Sequence, residues 1–83
     1  MRKQLDQFAN LCEERLANND HKQPWQGLTC DLLAHKLRNK TDRLSDAVGC
    51  NDLGDMRDYA LDVANYAMMV YHNATKRMVK RDE

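Results

Sequence analysis

The sequence predicts an all-α domain in which three helices run antiparallel along the chain and assemble into a homo-oligomeric helical bundle. Three observations lead there. Only three glycines and one proline interrupt 83 residues, so the elements are long and the turns few. Apolar residues recur at three- and four-residue spacing in three separate stretches, residues 3–19, 29–48 and 53–79. No stretch alternates with the period of two that a half-buried strand requires.

In the first stretch Leu5, Phe8, Ala9, Cys12 and Leu16 share one helical face. The segment that follows, NNDHKQPWQG, ends the helix, because Asn and Asp favour turns and Pro24 cannot continue a helix. Thr29 is placed to cap the second helix, and Asp31 in its first turn complements the positive helix end. Leu33, Leu37, Leu44, Ala47 and Val48 make the second apolar stripe, and Gly49 stands where a helix-terminating glycine is expected. Asn51 or Asp52 then opens the third helix, which ends on a basic tail suited to a helix C-terminus.

The third helix dominates the chain. Met56, Ala60, Val63, Ala67, Val70, Ala74 and Met78 define its main apolar face, widened by Tyr59, Ala64, Tyr66 and Tyr71. Leu61 and Met68 form a second edge roughly 120° away. A rim helix in a small domain needs only one stripe to bury. Two stripes predict packing both on its own chain and on a second copy, with Leu61, Ala64, Met68 and Tyr71 at a two-fold interface. One residue stands out in the second helix: Lys40 falls in the middle of its apolar stripe. Its stem can snorkel to water, or its amine can pair with a carboxylate inside the bundle.

Composition narrows the function. The length allows one domain, 1–83, whose core is small without help from a partner. Thirteen basic and thirteen acidic residues cancel, which argues against non-specific binding to nucleic acid. The apolar runs are too interrupted to span a membrane. Cys12, Cys30 and Cys50 are odd in number and widely spaced, and no signal peptide precedes them. They read as reduced thiols of a cytoplasmic protein. The three histidines do not pair with cysteines at zinc-ligand spacing, and no glycine-rich phosphate loop is present.

The run NDHKQPW after the first helix, followed by DVANYAMM in the third, resembles the MazG-like group of all-α nucleoside triphosphate pyrophosphatases. The resemblance spans about Phe8 to Asn73. It implies a helical oligomer that cleaves nucleotides between the α- and β-phosphates with Mg²⁺. Carboxylates in a Glu-Glu-x-x-Glu and a later Glu-x-x-Asp motif would hold that metal.

The ligand positions depart from the pattern. Asn39, Lys40 and Arg43 stand in the first motif, Tyr59 replaces the Glu of the second, and only Asp62 matches. Lysine and arginine at ligand positions repel a cation. The resemblance therefore implies two functions. One is a non-catalytic, homo-oligomeric binding or regulatory module without a cofactor, whose partner beyond itself is a protein or a nucleotide. In it a Lys40–Asp62 pair, with Tyr59 nearby and helped by the Tyr59 or Tyr66 hydroxyl, replaces the metal. The other is a Mg²⁺-dependent pyrophosphatase using a rearranged set drawn from Asp58, Asp62, Glu13 and Glu14. His21, Lys22 and Trp25 are candidate ligand contacts: the indole offers a stacking plane or a plug for the bundle end, and His21 and Lys22 beside it can touch phosphate.

Overall fold

The computed structural model describes residues 2–18 and 24–81. Helix α1 spans Lys3–Asn18, α2 spans Cys30–Gly49 and α3 spans Leu53–Arg81, with a single 3-10 turn at Trp25–Gly27 before α2. No strand occurs among the described residues. Nor is any helix there long and apolar enough to cross a membrane.

The α2 start follows from Thr29. Its backbone is extended (φ −72°, ψ 156°), and its hydroxyl accepts the Leu32 N–H, one of the donors a helix start leaves unpaired. The α2 end corrects the expectation for Gly49, which is helical with no positive φ. The left-handed residue is Asn51 (φ 55°), a conformation that asparagine tolerates better than most side chains. The Asn51 N–H donates to Val48 O (3.1 Å) and the Asp52 N–H to Ala47 O (3.0 Å), closing a Schellman turn. Asp52 then caps α3 at once, its Oδ1 accepting the Asp55 N–H at 3.0 Å. Three residues, Cys50–Asp52, thus reverse the chain.

The contacts that follow set the topology. Lys40 meets Asp62, and the Leu28 carbonyl meets Asn73, so α2 and α3 form an antiparallel hairpin. Cys12 meets Asn65 and Arg15 meets Asp62, so α1 is antiparallel to α3 as well. The first and second helices lie on two flanks of α3. Among the described residues, no Cα of one comes within 8 Å of the other.

Among the described residues the buried apolar ones are Leu33, Ala47 and Met69, joined by Asn65 and Asn73. The inward stripe of α3 is therefore Asp62, Asn65, Met69 and Asn73, not the Met56–Met78 series expected from hydropathy. That series lies roughly 140° round the helix from the inward stripe. Its Ala67, Ala74 and Met78 are exposed, and Met56, Ala60, Val63 and Val70 are half-buried. Val48, placed by hydropathy in the α2 stripe, is also exposed, and α1 buries no residue fully. The reason is polar. An intrachain face carrying one carboxylate and two amides finds its partners on α1, α2 and the 3-10 turn, and each partnered group offsets its own desolvation.

Candidate functional site

Asp62 occupies the place where α1 and α2 both reach α3. Arg15 from α1 donates through Nε to Oδ1 at 2.5 Å and through Nη2 to Oδ2 at 3.2 Å, a two-pronged grip suited to the planar guanidinium. Lys40 from α2 brings Nζ to 3.4 Å from Oδ2. The Asp62 side chain is 13% exposed, while Arg15 and Lys40 keep 34% and 32% of theirs. The carboxylate is thus nearly enclosed, and each cation still has an edge in water.

The structure brings Lys40, Asp62 and Tyr59 together, with one difference from expectation. Tyr59 serves through its ring, over which Lys40 Nζ lies 5.5 Å from the centroid, rather than through its hydroxyl. The ring quadrupole attracts the ammonium and holds it near the carboxylate. Arg15 was missed by sequence reasoning, since nothing local links positions 15 and 62. The hydrogen bond to Asp62 holds the Arg15 guanidinium above its ordinary pKa. The nearby negative charge of Asp62 and of the exposed Asp58 acts in the same direction, against the desolvation that would lower it.

Below this clamp, Asn65 donates from Nδ2 to the Cys12 carbonyl at 3.1 Å, tying α1 to α3 by a second bond. The Cys12 thiol, half-buried at this junction, has its pKa raised by desolvation. Asn73 repeats the device for the turn before α2, its Nδ2 donating to Leu28 O at 3.0 Å and to Trp25 O at 3.5 Å. Asp62, Asn65 and Asn73 share one face at helical spacing inside an otherwise apolar run. That pattern is the signal in the sequence that marks them as inward-facing.

The alternative metal set does not assemble. Asp58, Asp62, Glu13 and Glu14 are all described, yet no three His, Cys, Asp or Glu side chains among the described residues gather as a metal site would need. Glu13, Glu14 and Asp58 are exposed, while Asp62 turns inward to Arg15 and Lys40. Trp25 is half-buried, and its ring meets His72 edge-on with centroids 5.3 Å apart. It rests on α3, half-buried rather than fully enclosed. His21 and Lys22 lie outside the described residues. Of the expected interface, Leu61 and Ala64 are half-buried, while Met68 and Tyr71 are exposed.

Compared with models of known protein families, with curated proteins and with solved structures, the chain matches none.

Proposed function

We propose that this chain is a non-catalytic helical module of MazG-like ancestry, working as a homo-oligomeric binding or regulatory protein. One observation carries the reading. Asp62, the carboxylate that aligns with the ligand motif DVAN, is held by Arg15 and Lys40 from two different helices. A hard divalent cation needs several oxygens, and cations seated on its carboxylate ligand disfavour it. Two cations at one carboxylate do instead what the metal would do, joining helices through charge and hydrogen bonds.

The homo-oligomer is supported by the outer face of α3, where Tyr71 is 72% and Met78 is 65% exposed. A second copy presenting the same face is a self-complementary partner for it.

The test is calorimetric and thermal titration of the full chain with Mg²⁺, alone and with a panel of nucleoside triphosphates. The expected outcome is no binding heat from Mg²⁺, no change in melting temperature and no pyrophosphate release. A Mg²⁺-dependent rise in melting temperature together with pyrophosphate release would overturn the reading in favour of the pyrophosphatase.

A further inference from the structure

Helix α1 is held differently from the other two. Every residue from 2 to 11 is exposed, and only Cys12, Arg15 and Leu16 are half-buried. No residue of α1 is fully buried, and Leu5, Phe8 and Leu11 leave 52%, 38% and 40% of their surface in water. Among the described residues α1 lies along α3 alone.

The two sides of α3 differ in chemistry. The buried apolar side chains among the described residues, Leu33, Ala47 and Met69, all belong to the α2–α3 hairpin. That hairpin also closes its own helix ends, through Thr29, Asn51 and Asp52. Toward α1 the ties are polar: Arg15 grips Asp62, and Asn65 donates to the Cys12 carbonyl. Parting an apolar seam exposes surface that water disfavours, whereas a carboxylate, an amide and a guanidinium recover hydration when they part. Asp62 would also keep Lys40 as a partner. A helix of 16 residues is marginal by itself, because most helical stability comes from a packed face, and α1 encloses none of its side chains.

We infer that α1 is a detachable strap: it opens as a unit from an α2–α3 hairpin that stays folded, and the Arg15–Asp62 grip is its latch. Opening is a local event, lower in free energy than unfolding of the whole chain. Once open, α1 gives its apolar face of Leu5, Phe8, Cys12 and Leu16 to water, and α3 shows Asn65 and Asp62, the latter still beside Lys40. The inference is independent of the oligomeric state and of any response to Mg²⁺.

The experiment is native-state hydrogen exchange of the ¹⁵N-labelled full chain, followed by NMR. Amides of residues 9–16 are compared with those of residues 37–47 and 63–73. The α1 amides should share one protection factor, at least about tenfold below that of the hairpin. Arg15→Met should speed the α1 amides about tenfold. Arg15→Lys keeps the charge and loses the two-pronged grip, so it should speed them less. Asp52→Ala removes a cap that the open state retains, so it should speed the hairpin amides about fivefold and leave those of α1 unchanged. One common protection factor throughout the chain overturns the inference, as does a protection that grades along α1 as in fraying. So does an α1 rate that rises in Asp52→Ala as much as the hairpin's. Unchanged α1 exchange in both Arg15 variants overturns the latch.

Discussion

Asp62 holds three helices with one side chain, and its energetics follow from unequal enclosure. Because Arg15 and Lys40 each keep about a third of their side chain in water, losing either one alone leaves the carboxylate still paired. Lys40→Met should cost under about 1 kcal/mol and Arg15→Met about 1–2 kcal/mol, in the range of partly screened pairs. Removing both strands a nearly enclosed carboxylate, and about 3–5 kcal/mol should be lost, more than the sum. Adding Asp62→Leu to that double variant should recover much of the loss. Urea unfolding of the parent and the four variants checks this, and simple additivity would show that the clamp is not a unit. Proton linkage acts on the alkaline side. Burial raises the Cys12 pKa above its ordinary value of 9.0, so the folded state favours the neutral thiol. That contribution is complete below pH 9.0 and fades as pH climbs through the higher folded value. The Cys12→Ala variant should therefore lose stability less steeply than the parent above that pH. Arg15 is shifted upward as well, so its share of the clamp persists to more alkaline pH than any ordinary assay reaches.

At the scale of the elements, the α2–α3 junction concentrates local stability in three residues. Gly49 is helical, and a Cβ built on it meets nothing within 4 Å. Gly49→Ala should therefore raise stability by about 0.5–1 kcal/mol, through lower entropy in the unfolded chain. The same change at Asn51 has the opposite sign, since alanine at φ 55° is strained, and should cost about 1 kcal/mol. Asp52→Ala removes the α3 cap and should cost about 1 kcal/mol. Thermal melts of the three variants give the order Gly49→Ala above parent above the other two; a stabilising Asn51→Ala would contradict the left-handed turn. Trp25, half-buried against His72, belongs to the same scale. Its truncation to alanine should cost about 1–3 kcal/mol, less than a fully enclosed indole would.

For the whole molecule, the open arrangement has a consequence for assembly. Among the described residues α1 and α2 flank α3 with no Cα of one within 8 Å of the other, and the molecule measures 48 × 29 × 24 Å, elongated for its length. The uncovered half of α3 is free of charge from Tyr59 to Tyr71 except for the inward Asp62. Light scattering at micromolar concentration should return a dimer or a dimer of dimers. Met68→Glu and Tyr71→Glu, both on exposed positions, should shift it to a monomer that melts at lower temperature. A monomeric parent, or mutants that stay assembled, would remove the outer face of α3 from the interface.

Periodicity, caps and the scarcity of glycine and proline determined by themselves that the chain is three helices, because those signals act within a few residues. Thr29 and Asp52 cap where their side chains reach the next turn, and no distant residue is involved. Hydropathy could not say which face of α3 turns inward. It ranks Met56, Val63 and Val70 above Asp62, Asn65 and Asn73, yet the latter stripe faces the other helices. Pairing Lys40 with Asp62 was legible, since a lysine in an apolar stripe needs a partner and a motif position suggested one. Arg15 was not, because its bond closes over 47 residues and depends on how α1 lies along α3. The same holds for Asn73, whose partners are backbone carbonyls of a turn. Backbone acceptors carry no side-chain identity, so only the packed structure reveals which of them a buried amide will find.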